Sequence, residues 1–311
     1  MKKAVMLYLK GLAMGAADVV PGVSGGTIAF ISGIYEELLR SIGNVAPALV
    51  LLLKGRIADA WKLANANFLL VLLAGIGTSI LTLAKVITYL LETHPVPVWS
   101  FFFGLVLVSV YIVAREIKRW NIGLFALFAL GAAAGYWITS ASPVQWSDSL
   151  LVLFFAGAIA ICAMILPGIS GSFVLVLMGL YPTVLGALKD FNLPVILVFA
   201  SGCAVGLVSF ARVVSWLLQR WHSVTLAFLA GLMLGSLNKI WPWKFVELVE
   251  VNSVTRSIPA VEINMWPNEW ANVMGQNSQW ALALSLAVAG VALVLAIEWI
   301  ARRRQVSERS M

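Results

Sequence analysis

The sequence predicts an all-α integral membrane protein folded as an inverted repeat, each half a re-entrant helical hairpin plus three transmembrane helices. Three observations predict this. Of the 311 residues, 61% are hydrophobic and only 11% are charged, with a mean hydropathy of +0.95, against roughly 25% charged in soluble domains. Two apolar stretches are interrupted in the same manner, by "VVPGVSGGTIAF" (19–30) and "ILPGISGSFVLV" (165–176). The likeness between the halves also continues downstream of these breaks.

Along the chain, the first apolar run covers about 4–39. No small-residue cleavage site follows it, and Asp18 and Pro21 interrupt its core, so it is expected to be retained rather than removed as a signal peptide. Residues 43–66 hold a short apolar run and "KGRIADAWKLA". This segment is too short and too charged to span, and it predicts an interfacial piece. Spans follow at about 67–91, 97–114 and 121–139, each long enough to cross about 30 Å of hydrocarbon as a helix. The second half, from 141 to 311, repeats the plan: an interrupted run at 150–188, then spans at 194–218, 223–240 and 279–300. The stretch 241–279 carries Glu247, Glu250, Glu262 and Glu269 among tryptophans and prolines and predicts an outer loop at the membrane interface.

Charge decides between hairpins and crossings for the two interrupted runs. With both as hairpins and both termini cytoplasmic, 15 of the 21 Lys and Arg lie on the inner side and 4 on the outer. Making both runs cross reverses that bias, so the positive-inside rule favours hairpins. The net charge of +7 is thus a topology signal. Without aromatic-basic interleaving it implies no nucleic-acid partner.

The repeat is explicit in the residues. An offset of 146 aligns Pro21, Gly22, Ser24, Gly25, Gly33 and Tyr35 with Pro167, Gly168, Ser170, Gly171, Gly179 and Tyr181. An offset of 127 aligns 74–91 with 201–218 and 101–109 with 228–236. The interfacial segment of the first half absorbs the difference. One hairpin and three crossings per half place the halves in opposite orientations, an architecture of secondary transporters whose sites lie where broken helices meet.

Broken backbone at membrane depth must be satisfied by protein or by a water-filled cavity. After each Pro-Gly turn a serine stands at an N-cap position, followed by Gly25, Gly26 and Thr27 in one half and Gly171 and Ser172 in the other. Such helix starts offer free N–H groups to an anion. Ser24, Gly25, Gly26, Thr27, Ser170, Gly171 and Ser172 are therefore the candidate phosphate-binding residues. Lys85 and Arg212, paired by the repeat inside apolar helices, join them. A central cation costs about 2.5–3.5 kcal/mol on insertion scales unless it faces a cavity or a counter-charge. Two readings of Asp18 stay open: a proton or cation handle shared with Glu36, or a partner for Lys85 or Arg212.

A serine-protease reading of the G-x-S-G in both motifs needs a general base. His94 and His222 sit at helix ends, away from hairpin depth, so no enzyme is expected. Cys162 and Cys203 read as buried small hydrophobes, and neither a metal site nor a cofactor is expected. A transporter of a small soluble anion remains open on these residues.

"ADVVPGVSGGTIAFISGIYE" and "PGISGSFVLVLMGLY" resemble the two signature segments of the bacterial polyprenyl-phosphate transporters, and the similarity runs along nearly the whole chain. The resemblance implies a multi-pass protein of the bacterial cytoplasmic membrane. It would carry undecaprenyl phosphate from the outer to the inner leaflet, where the carrier is recharged for peptidoglycan and other envelope polymers. The implied partners are that lipid and the bilayer; a homo-oligomer is left open.

Overall fold

The computed structural model describes residues 2–20, 22–250 and 257–309; Pro21, aligned by the repeat, and Arg256, one of the four cations assigned to the outer side, lie outside them. Most of the described chain is helical. The first apolar run forms α1 (Lys2–Val19), α2 (Gly25–Ile31) and α3 (Tyr35–Gly43), and the interfacial segment forms α4 (Val45–Leu53) and α5 (Ile57–Leu63). Three long helices follow: α6 (Ala66–Thr93), α7 (Pro95–Arg115) and α8 (Ile122–Ser140). The second half gives α9 (Leu150–Ile165), α10 (Gly171–Leu177), α11 (Tyr181–Lys189), α12 (Leu193–Arg220) and α13 (His222–Ser236), the last prolonged by a 3-10 turn to Ile240. After the segment 241–279 comes α15 (Trp280–Arg309), preceded by the short α14 (Pro267–Met274).

Among the described residues, six helices are long and apolar enough to cross a membrane: 66–93, 95–115, 122–140, 193–220, 222–240 and 280–299. The chain is therefore a multi-pass membrane protein, and each expected span lies within two residues of an observed one. Neither α4, of nine residues, nor α5, of seven, could cross. Leu53 and Ile57, at their junction, are 88% and 64% exposed, as expected for apolar side chains facing lipid rather than a core.

The boundaries repeat as the sequence does. Helices α2 and α10 have equal lengths, and so do α6 and α12. Gly22 and Gly168 turn the chain at φ +84° and +89°, and Gly33 and Gly179 do so again at +72° and +68°. These left-handed conformations suit glycine. Between α10 and α11 the axis bends by 111°.

Packing follows small residues, which let membrane helices approach closely. Helix α1 lies along α6 through Gly11, Gly15 and Gly75, and α9 lies along α12 through Gly157, Gly202 and Gly206. Across the halves, α7 packs on α15 through Gly104 and Gly290, and α8 on α13 through Gly131, Gly135, Gly231 and Gly235. Helices α7 and α13 form the centre; 56% and 67% of their spanning windows are buried, against 11–17% for the other four.

The segment 241–279 differs from the expected loop. It folds into an antiparallel pair, β1 (Lys244–Glu250) and β2 (Ser257–Asn264), before α14. Its Phe, Val and Ile residues suit a strand pair. The register slips where Leu248 faces Pro259, because proline brings no N–H to the ladder. The side chains of Glu247 and Glu250 lie outside the described residues.

Candidate functional site

The first break is closed by its own side chains. Ser24 has extended backbone (φ −122°, ψ 136°) and caps α2, its Oγ accepting from the Gly26 N–H at 3.0 Å. The Gly25 N–H donates to Asp18 Oδ1 at 2.6 Å. The group that takes up this helix start is therefore a carboxyl of the chain itself. Asp18 thus bonds neither Lys85 nor Arg212, which corrects that pairing.

The same segment grips the second break. Ser24 Oγ donates to the Met164 carbonyl at 2.7 Å, Thr27 Oγ1 accepts from the Gly168 N–H at 3.0 Å, and the Tyr35 hydroxyl donates to the Ile165 carbonyl at 3.2 Å. Ser24 and Thr27 are fully buried. A Cβ on Gly26 would stand 2.6 Å from the Ile165 carbonyl oxygen, so only glycine permits this approach. The two motifs meet in space, as their pairing in sequence predicts.

The second break is built differently. Ser170 also has the extended backbone of an N-cap, but its Oγ bonds Ser172 Oγ at 2.8 Å and caps no backbone N–H. The counterpart of Asp18 is Met164, which brings no carboxylate to α10. Here a cavity of about 490 Å³ opens. Its wall includes Ser172, Phe173 and Tyr181, the end of α8 at Thr139 and Ser140, and Asn238, Lys239 and Glu262. Lys239 Nζ lies 4.3 Å from the Phe173 ring centroid and pairs with Glu262 at 2.9 Å. Lys244 reaches the other oxygen of Glu262 at 3.0 Å and also bonds the Lys239 carbonyl. Burial lowers the Lys244 pKa to about 8, against the opposing pull of Glu262. Burial raises the Glu262 carboxyl, but the two lysines together outweigh it and hold it below its ordinary value.

Comparison with known proteins shows the family. A family model described as undecaprenyl phosphate translocase-like matches residues 14–258, a range that contains both breaks. The chain belongs to that family. A polyprenyl-phosphate transporter of Vibrio cholerae serotype O1 is 52% identical over 297 residues, covering 95% of this chain and 96% of its own length. A polyprenyl-phosphate transporter of Staphylococcus aureus is 30% identical over 253 residues, covering 75% and 85%. No solved structure matches.

In this translocase-like chain the remaining candidates stand apart from the breaks. Lys85 is exposed on α6 and makes no bond to either motif. Arg212 Nε donates to the Gly43 carbonyl at 2.7 Å, at the C-terminal end of α3. It lines a separate cavity of about 200 Å³ with Arg40, Asn44 and Gln219. Glu36 is exposed and lies 3.4 Å from His222, with no bond to Asp18. Sequence reasoning missed Lys239: it falls at the end of a span, where a lysine reads as an ordinary outer charge. The tryptophan-rich sequence beside it was the available signal, because a strand pair carrying Glu262 folds back over it there.

Proposed function

We propose that this protein moves undecaprenyl phosphate, or a closely similar polyprenyl phosphate, from the outer to the inner leaflet of the bacterial cytoplasmic membrane by alternating access. The observation that carries the reading is the cavity at the second break, lined by Lys239, whose side chain is 12% exposed, and by Ser172 at the uncapped start of α10. A phosphate monoester needs donors and positive charge on several sides, while its prenyl tail can stay in the bilayer. Ser170, Gly171, Ser172 and Lys239 hold the head group in this state. Ser24, Gly25, Gly26 and Thr27 take that role once the halves exchange, after Asp18 leaves the start of α2. Asp18 is thereby the better candidate for proton coupling than Glu36. No bond of the substrate is made or broken.

The reading takes each half as an inverted unit, residues 1–140 and 141–311, with re-entrant hairpins α1–α3 and α9–α11 and both termini cytoplasmic. The equal offsets of the helix boundaries and the bend between α10 and α11 support it. On this topology the cavity opens outward, toward the leaflet where spent carrier would collect. The carrier would then be recharged for envelope-polymer synthesis on the inner side.

The test is reconstitution in liposomes with undecaprenyl phosphate, following head-group movement between leaflets beside uptake of inorganic phosphate. Wild type is expected to move the lipid, and Lys239→Gln to lose at least about tenfold, as for one charge-assisted hydrogen bond. Phosphate uptake without lipid movement would replace the reading with a soluble-anion transporter. No movement of either would remove it.

A further inference from the structure

Three bonds between the halves have a disengaged counterpart under the repeat; the Thr27–Gly168 bond has none, because Phe173 stands in the place of Thr27. Tyr35 is 3% exposed and donates to the Ile165 carbonyl. Its counterpart Tyr181 is 36% exposed, lines the cavity and has no protein partner among the described residues. Ser24 donates to the Met164 carbonyl, whereas its counterpart Ser170 bonds only Ser172. Arg212, on α12, grips the carbonyl of Gly43 at the end of α3. Its counterpart Lys85, on α6, is exposed, and the residue matching Gly43 is Lys189 at the end of α11. Helix α3 packs closely on α12, and α11 has no comparable contact with α6.

We infer that Arg212–Gly43 with Tyr35–Ile165, and Lys85–Lys189 with Tyr181–Val19, are two mutually exclusive latches that close the opposite ends of the transport path in turn. The first set is closed here and seals the first break; the second is open and leaves the cavity. Closing the second would swing α11 onto α6, bring the Tyr181 hydroxyl to the Val19 carbonyl and the Lys85 ammonium to the Lys189 carbonyl, and collapse the cavity. The pairing rests on the inverted-repeat reading given above. It also explains why two cations are kept in apolar helices without meeting the breaks: each is a donor for one end state.

The test reads conformation rather than transport. In a chain with Cys162 and Cys203 replaced by alanine, two cysteine pairs are compared in native membranes, Gly43→Cys with Arg212→Cys and Lys85→Cys with Lys189→Cys. A Cβ at Gly43 would lie 3.7 Å from the Arg212 Cα, within reach of a disulfide. Both pairs are expected to crosslink. Fixing the first should leave Val176→Cys, in the cavity wall, open to an impermeant thiol reagent, and fixing the second should shield it. In single variants, Tyr35→Phe should lower Val176→Cys labelling and Tyr181→Phe should raise it. Each is expected to shift the open-to-closed ratio by about fivefold, the effect of one ordinary hydrogen bond on a two-state equilibrium. Failure of the 85–189 pair to crosslink while the 43–212 pair does would overturn the latch pairing, as would labelling shifts of the same sign. Exchange of the crosslinks without any lipid movement would support the latches and count only against the lipid substrate.

Discussion

Lys239 shows how one side chain can be prepared for an anion before the anion arrives. Its side chain is 12% exposed and shares Glu262 with Lys244, whose side chain is 8% exposed. Lys244 also lies 4.7 Å from the Trp99 ring centroid. An incoming phosphate competes with Glu262 for Lys239, and Lys244 lowers the cost by keeping hold of the displaced carboxylate. That help depends on protonation. The Lys244 pKa is lowered by burial to about 8, so its charge fades as pH rises through 8 while Glu262 stays ionised. Glu262 is then left to Lys239 alone. Phosphate affinity in the cavity is expected to fall as pH rises from 7 to 9, and Lys244→Gln should flatten that part of the profile; titration with inorganic phosphate by calorimetry checks both. Stability runs the other way. A lysine whose folded pKa is depressed makes the unfolded chain the better proton binder between about 8 and 10.5, so its contribution rises with pH there. The motif residues were legible because Ser, Gly and Thr after Pro-Gly have few other uses inside a membrane. The asymmetry was not: it turns on Asp18 against Met164, and only coordinates show that the carboxylate fills its own helix start.

Among the elements, what the sequence made legible was length and interruption. Six spans could be read because continuous apolar runs of this length have few alternatives to a membrane helix. The strand pair was not legible, because 241–279 mixes Trp, Pro and Glu without a clear period and pairs only across the connection between its strands. Helix partners were half visible. The matched glycines at 104 and 231 mark close approaches, but not that each serves a helix of the other half. At the α8–α13 crossing, a Cβ on Gly231 would run into the Phe128 carbonyl, and one on Gly131 into that of Phe228. Backbone cannot yield as a flexible side chain does. Gly231→Val is expected to destabilise by about 1–3 kcal/mol, the usual range for overpacking. Gly77→Val, on the same kind of helix but with nothing within 4 Å of the new Cβ, should leave stability unchanged. Thermal unfolding of the purified variants in detergent separates them, and equal losses would mean that the close approach does not set the cost.

For the whole molecule, the deciding quantity is which loops share a side. The cations divide 15 to 4 only if both interrupted runs return to the side they entered, and the bias orients the chain because translocating positive charge is disfavoured. Between α5 and the linker after α8 lie three spanning helices, an odd number. If both runs are hairpins, the second enters from the side opposite the first, and that inversion would let equivalent residues serve opposite ends of one path. Single thiols at Lys3→Cys and Lys54→Cys flank the first hairpin, and Ser142→Cys and Asp190→Cys flank the second. With an impermeant reagent on sealed, oriented membranes, the first two should react from one side and the last two from the other. If either hairpin crossed, the members of its pair would react from opposite sides. The repeat would then become parallel or broken, and the exchange of closed and open ends between Tyr35 and Tyr181 would lose its geometric basis. A two-and-two pattern instead makes the present asymmetry a state of the molecule rather than a fixed difference between its halves. The sequence keeps both sets of donors, and the fold here engages only one.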